Sequence, residues 1–434
     1  MNSVGIDVSK EKSIVCILKP YGEVIMSPTE VIHTQESISN LIKVINKLDG
    51  ETRIVMEATG IYHLPLLTEL KKAGLFVYVI NPLAMKKYAS SSIRRGKTDK
   101  MDSVRIANYG IDHWFKLSDY NAPEDVYYQL QILGRQYSHS HYIKMKIAGK
   151  LALTNILDRT MPGIKKILRG NNSETPTKDK LCDFVEKYWH FDNITKKSEK
   201  QFINSYCNWA KKKGYQAKES KAQAIYSLAR NSIPTLPSNA ASTKMLTLEA
   251  VRVLKEINKT LELIITQMQE IARDLPEYET VRAMNGVGDI LAPRLIAEIG
   301  DIRRFHSGKA LIAYAGLDSP PFQSGNFTGD HRKISKRGSS LLRKTGYEVM
   351  KCLKTVKPTE DNAVYLYMIK KEEEGKAKKV AKIAALNKFL RIYYARVKSV
   401  YNNSIFLDFE PDANTVTAKG GLPFTGDKKA VKSS

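Results

Sequence analysis

Cysteine is scarce in this chain and scattered. The four cysteines, Cys16, Cys182, Cys207 and Cys352, form no CxxC pair and no Cys/His group at zinc spacing, which argues against a disulfide scaffold and a structural zinc. A reducing cytosol is the expected location. No apolar run approaches the length of a membrane span. The opening MNSVGIDVSKEKSIVCILK meets charge after only a few alternating apolar residues, unlike a signal peptide. A basic amphipathic helix with a second anchor is also lacking, so no membrane partner is expected. Neither a two-Cys-two-His finger nor an RNP aromatic motif is present, so reading of base sequence by the protein alone is expected to be weak. Acid is in short supply too: 45 Asp and Glu face 69 Lys and Arg, a formal charge of +24 on a chain that is 42% hydrophobic. A foldable chain with that excess implies a polyanionic partner, and nucleic acid is the natural one.

What is present divides along the chain. Residues 1–117 read as an α/β domain, with strands expected at Val4–Val8, Ser13–Leu18, Arg53–Met56 and Leu75–Ile80. In the first of these Val4, Ile6 and Val8 alternate with Gly5, Asp7 and Ser9, which turns Asp7 to the face opposite the apolar trio. Residues 118–240 read as a helical, basic region with a loop near NNSETPTKDK. Residues 241–277 carry Leu246, Val251, Leu254, Ile257, Leu261, Ile264 and Met268 at helical spacing, the pattern of a long amphipathic helix or coiled coil. A mainly α-helical C-terminal domain is expected over residues 278–405, and a disordered polar tail over 406–434.

Four acids stand out: Asp7 within a strand, Glu57 closing RIVME, and Asp99 with Asp102 in KTDKMDSVRIANYG, three apart and so on one helix face. An acid amid strand-forming residues has poor intrinsic propensity and needs a reason. Asp99, following Thr98, would equally suit a helix start, where an acid favours the dipole. Carboxylates gathered at one site repel, and the arrangement is costly unless divalent cations neutralise it. Oxygen ligands of this kind select Mg²⁺ or Mn²⁺, and a pair of such ions serves phosphodiester cleavage. Spacing alone does not bring the four together.

Further along, VRAMNGVGDILAPRLIAEIG places Asn285, Gly286 and Gly288 between two helical stretches, the signature of a helix-hairpin-helix and equally of a plain tight turn. In the first case the glycines let backbone N–H groups approach a phosphate at a helix start. The segment AYAGLDSPPFQSGNFTGDHRKISKRGSSLLRKTG then combines a Gly- and Pro-broken stretch with Arg332, Lys333, Lys336, Arg337 and Arg343, cations suited to a nucleic-acid backbone.

VGIDVSKEKSIVCIL, VMEATGIYHLPLLTEL, INPLAMKKYA and KTDKMDSVRIANYG resemble the N-terminal domain of DEDD transposases of insertion sequence family 110. GVG, RF, AYAGL, SG, ISKRG and LR resemble its C-terminal domain, in matching order over roughly residues 281–350. The resemblance implies a RuvC-like, RNase H-like fold in which Asp7, Glu57, Asp99 and Asp102 bind Mg²⁺. It also implies a serine that attacks the phosphodiester and becomes joined to DNA. Ser324 of QSGN is the matching position, with Ser339 and Ser340 as competitors, and NFTGDHRK after it departs from the family's second glycine and compact basic stretch. Family members are directed by a structured bridge RNA that pairs with target and donor DNA, so RNA is an expected partner beside DNA.

A serine hydroxyl is a weak nucleophile that needs a base or a metal, so a composite site joining Ser324 to the acids, within one subunit or across two, is expected. Recombination holds two duplexes, which points to a homo-oligomer, dimer or tetramer, with residues 241–275 as a seam. Two other readings differ in chemistry. A RuvC-like junction-resolving nuclease would use water and dispense with Ser324, and a non-catalytic nucleic-acid-binding protein would tolerate loss of Asp7 or Glu57.

Overall fold

The computed structural model describes residues 1–90, 98–120, 125–137, 142–168, 179–319, 323–324, 327–328 and 333–407. The chain divides into two units, Met1–Ala122 and Pro123–Ser434.

Alternating apolar residues build the first unit around one five-stranded sheet. Its elements run β1 (Asn2–Val8), β2 (Lys12–Leu18), β3 (Val24–Ile32), α1 (Gln35–Asn46), β4 (Thr52–Glu57), α2 (Leu64–Lys72), β5 (Val77–Ile80), α3 (Pro82–Ala89) and α4 (Asp99–Asp112). The strand order is β3-β2-β1-β4-β5. β2 runs antiparallel to both of its neighbours, β1 and β3, while β1, β4 and β5 are parallel. Val4, Ile6, Val8, Ile54 and Met56 face a core closed by Ile38, Leu41 and Ile45 of α1 and Leu66, Leu67 and Leu70 of α2. β1 is buried on both faces except at Asp7, which is half-buried; Val4, Ile6 and Val8 face this core and Gly5 faces the other way, as the alternation predicts. β3 went unforeseen. Its sequence VIMSPTEVI contains Pro28 and is mostly exposed, as an edge strand that pairs on one side only can be.

Helix α4 covers the other face of the sheet. Thr98 caps it by accepting from Met101 N at 3.2 Å. Small residues let it sit close. A Cβ on Gly5 would overlap Ser103 O and Ala107 N, and one on Gly110 would overlap Ser3 Oγ and press on Val55 Cγ2 at 3.0 Å. Ser3 Oγ donates to Ala107 O at 2.7 Å, locking helix to strand.

The second unit is helical: α5 (Asp125–Arg135), α6 (Tyr142–Thr160), α7 (Ile164–Leu168), α8 (Lys180–Tyr188), α9 (Asp192–Thr195), α10 (Glu199–Lys212), α11 (Glu219–Asn231), α12 (Ala241–Arg273), α13 (Tyr278–Arg282), α14 (Gly288–Ile299) and α15 (Gly308–Tyr314). The short pair β6 (Gln323–Ser324) and β7 (Phe327–Thr328) follows, then α16 (Ser340–Val356), α17 (Ala363–Glu373) and α18 (Lys378–Leu407). Two cores form within it. One gathers Phe184, Tyr188, Phe202, Tyr206 and Trp209 with Leu153 and Leu157. The other gathers Leu295, Ile296, Leu311, Val349, Leu386 and Phe389.

α12 is an unbroken helix of 33 residues, as its Gly- and Pro-free pattern predicts. It gives Val251 and Leu254 to the first core and Ile265, Met268 and Ala272 to the second. Its buried face is thus occupied by helices of its own chain, α6 among them, where a Cβ added at Gly149 would stand 3.5 Å from Leu254 Cδ1. Leu246, counted in the apolar pattern, is exposed together with Met245, Val253 and Leu263. A Tyr127, Glu277 and Tyr401 network ties α5, the start of α13 and α18: Tyr127 donates to Glu277 Oε1 at 2.8 Å, and Tyr401 bonds Glu277 Oε2. The four cysteines are free thiols, and burial pushes those of Cys16 and Cys182 upward in pKa. No helix among the described residues is long and apolar enough to cross a membrane. The tail expected from 406 lies outside the described residues from 408 onward, as does the loop expected around NNSETPTK.

Candidate active site and nucleic-acid interface

The close packing of α4 decides where the acids go. Gly110 lies over Ser3, and Ala107 with Ser103 lies over Gly5, so the helix runs antiparallel to β1. Two residues of strand advance about 6.6 Å and one helical turn about 5.4 Å. One further step therefore places the first turn of α4, with Asp99 and Asp102, over Asp7. Asp7 and Glu57 each follow the parallel pair Ile6 and Met56 by one residue. Like Gly5 and Val55 before them, they project to the α4 side. Backbone register thus carries all four acids to one end of one sheet face. Asp7, Glu57 and Asp102 are half-buried there and Asp99 is exposed.

Cations of the chain accompany them. Asp102 accepts from Arg105 Nη1 at 2.8 Å, and the Lys12 ammonium, bonded to Glu30 at 2.7 Å, has its pKa raised by Glu30 and further by Asp99. The donor set, four carboxylates with no sulfur or imidazole, suits a hard divalent cation. In side-chain geometry the acids are not gathered round one point: among the described residues no group of three or more Asp, Glu, His or Cys is placed to hold a metal.

The C-terminal positions separate. Asn285 donates through Nδ2 to Glu360 O at 3.0 Å and Asp361 O at 3.2 Å, fixing the turn before α17. Gly286, at φ +84°, abuts Val349 O and Leu353 of α16, which a Cβ would meet at 2.9 and 3.0 Å. Its missing side chain serves helix packing. Gly288, at φ +61°, opens α14 with nothing within 4 Å of a Cβ. Asp289 in that first turn bonds Arg282, so an acid already occupies the helix start.

Ser324 lies in β6 opposite Phe327 of β7. The stretch that holds it is pinned at both ends. Ser335 N donates to Asp318 O at 2.8 Å, Ser335 Oγ to Asp318 Oδ1 at 2.5 Å, and Lys336 N to Gly316 O at 3.0 Å. Arg343 Nη1 fastens the two limbs, donating to Ala315 O at 2.9 Å and Gly338 O at 3.2 Å. Expected from sequence to contact a DNA backbone, Arg343 is half-buried and its Nη1 group is committed to carbonyls. Lys333, Lys336 and Arg337 are exposed, while Arg332 lies outside the described residues. Ser339 Oγ donates to buried Glu298 Oε2 at 3.0 Å and accepts from Leu342 N at 3.0 Å as the cap of α16. Ser340 is exposed in the first turn.

Sequence reasoning missed Gly5, Ser3 and Gly110, which dock α4, and Glu298. The visible signal was the spacing of small residues in α4 at Ser103, Ala107 and Gly110, matched to Ser3 and Gly5 in the strand.

Comparison with known proteins places the chain among transposases. Residues 4–162 match the DEDD transposase family of the IS110 type, and residues 278–365 match the Transposase IS116/IS110/IS902 family, together more than half of the chain. The chain belongs to the IS110 family of transposases. A Streptomyces clavuligerus protein, the insertion element IS116 uncharacterized 44.8 kDa protein, is 21% identical over 86% of this chain and 88% of its own length. The pilin gene-inverting protein of Moraxella bovis is 23% identical over 80% of each. Among solved structures, Thermus thermophilus RuvC aligns with 27% of this chain and 96% of its own at 13% identity and a TM-score of 0.22.

Proposed function

We propose that this transposase cuts and rejoins DNA through the Ser324 hydroxyl, with Asp7, Glu57, Asp99 and Asp102 as the ligands of Mg²⁺ or Mn²⁺ in an RNase H-like domain. The observation that carries the reading is the docking of α4 on β1, whose register brings four acids to one end of one sheet face. The sheet order, with three antiparallel strands followed by two parallel ones, supports the RNase H-like assignment. Asp7, Glu57, Asp99 and Asp102 would hold a divalent cation, which would supply stabilisation of charge on a phosphoryl oxygen.

The chain's own residues supply the rest. Ser324 Oγ forms a bond to phosphorus as the bond from phosphorus to a sugar oxygen breaks; the serine gives up its proton and the leaving oxygen gains one. Joining reverses this with a new sugar hydroxyl, and the ester bond is kept throughout. Asp318, Ser335 and Arg343 hold the two ends of the serine segment, and exposed Lys333, Lys336 and Arg337 beside it suit phosphates. A structured guide RNA would supply the sequence choice that the chain lacks motifs for, as base pairing does in other guided systems. Holding donor and target together calls for a homo-oligomer.

The test is to incubate the protein with its element's DNA, Mg²⁺ and the flanking-transcript RNA, then denature and look for a protein–DNA adduct. An adduct lost in both Ser324→Ala and Asp7→Asn supports the reading. Cleavage surviving Ser324→Ala moves the chemistry to water and to a junction-nuclease function, and omission of the RNA tests guidance.

A further inference from the structure

Residues 163–277 lie between the two regions that match the transposase families. Their helices α8, α10 and α11 form a body in which the acids of α8 are spent internally. Asp183 bonds Lys255 at 2.6 Å and Tyr215 at 2.8 Å, Glu186 bonds Lys255 at 2.7 Å, and Asp179 caps α8. Its lysines are differently placed.

Lys187 Nζ and Lys197 Nζ both reach Ser205, the first to its carbonyl at 3.4 Å and the second to its hydroxyl at 3.4 Å. Both also lie over the ring of Tyr188, at 5.2 and 5.9 Å from its centre. Lys212, seven residues beyond Ser205 in α10, shares that helix face. No carboxylate lies within ion-pair distance of these three among the described residues. Helix C-termini favour a cation, which accounts for Lys187 and Lys212 in the last turns of α8 and α10. Lys197 stands between the C-terminus of the one-turn helix α9, which favours a cation, and the N-terminus of α10, which does not. Burial, then Lys197 and Lys212, depress the Lys187 pKa below the usual lysine value. Like charges held together without an acid gain most from an anion that bridges them.

We propose that Lys187, Lys197 and Lys212 form a phosphodiester-binding surface on this inserted helical body, one that grips a nucleic-acid backbone through residues other than Ser324 and the acid tetrad. The Tyr188 ring beneath Lys187 and Lys197 helps hold these two ammonium groups in place, and recognition is of backbone charge, without sequence.

Binding is measured with the full chain in EDTA, on a random-sequence DNA duplex and on an RNA hairpin, across about 50 to 200 mM salt. Each lost phosphate contact lowers the log–log salt slope by about 0.7–0.9. Lys187→Gln with Lys197→Gln should therefore lower it by about 1.4–1.8, so that roughly ten-fold less affinity is lost across the salt range. The control is Lys43→Gln with Lys47→Gln on α1, equal in charge. A change on the duplex alone assigns the surface to DNA, on the hairpin alone to RNA, and on both to either backbone. Slopes equal to the control on both probes overturn the proposal. Should the glutamine pair lower the Tm, Lys212→Gln on the exposed last turn of α10 reads a single contact, and a slope matching the control there overturns the proposal likewise. Lys187→Arg with Lys197→Arg should restore the slope.

Discussion

Gly5→Ala tests the docking of α4 directly. The new Cβ would overlap Ser103 O and Ala107 N and stand 2.7 Å from Ala107 Cβ. Two of those three atoms are backbone, so rotamer changes cannot relieve them and α4 must move off the sheet by roughly an ångström. Overpacking of this kind costs about 1–3 kcal/mol, and the Ser3 to Ala107 hydrogen bond is stretched as well. For a unit of this size the fall in Tm is on the order of 5–10 °C. Because the same helix carries Asp99 and Asp102, an ångström of displacement should also slow adduct formation by about 10²-fold. Thermal unfolding followed by circular dichroism gives the first quantity, and single-turnover adduct formation well below the melting range gives the second. Ala107→Gly in the same chain removes only the Cβ contact and should rescue little. Unchanged Tm and adduct rate in Gly5→Ala would refute the helix-on-strand register from which the acid site is built.

Three further outcomes are expected. Arg343→Gln should slow adduct formation while leaving the salt slope of duplex binding unchanged, because its Nη1 group holds the limbs of the serine segment; a slope lowered by about 0.9 would make it a phosphate contact instead. Saturating Mg²⁺ should raise the wild-type Tm, by about 2.7 kcal/mol of stability at a hundred-fold excess over Kd, and should do so far less in Asp7→Asn; equal shifts would remove Asp7 from the ligand set. At Asp183, burial pushes the carboxyl up but hydrogen bonds from Lys255 and Tyr215 outweigh it, so its folded pKa is lowered. Its stabilising contribution is therefore present above the ordinary carboxylate pKa, about 3.9, and lost as pH falls through the lowered value. Asp183→Asn should flatten the acid limb of a Tm-against-pH curve; a limb of unchanged steepness contradicts this.

Local pattern made much of the fold legible. Strands β1, β2 and β4 and the long α12 follow from alternation or helical spacing, because the residues that define each are neighbours in sequence. β3 escaped because an edge strand need bury little, and Pro28 and the polar residues around it carry no period. The acids could be picked out singly, yet their placement at one end of one sheet face depends on Gly5 and Gly110, whose worth appears only once α4 lies on the sheet. Charge was the least transparent signal. Arg343 and Lys333 look alike in sequence, and only the carbonyls of Ala315 and Gly338 show that one is spent within the chain. Gly286 likewise reads as a phosphate turn until α16 is seen pressing against it.

α12 is a rigid strut of about 50 Å at helical rise, rooted at one end in the aromatic core around Phe184 and at the other in the core around Leu295. Neither core can melt alone without leaving half of that strut's apolar stripe in water, so the two should share a single cooperative transition. A load applied to the inserted body, such as a tethered backbone under tension, would be felt at α14 and α16 as well as where it is applied.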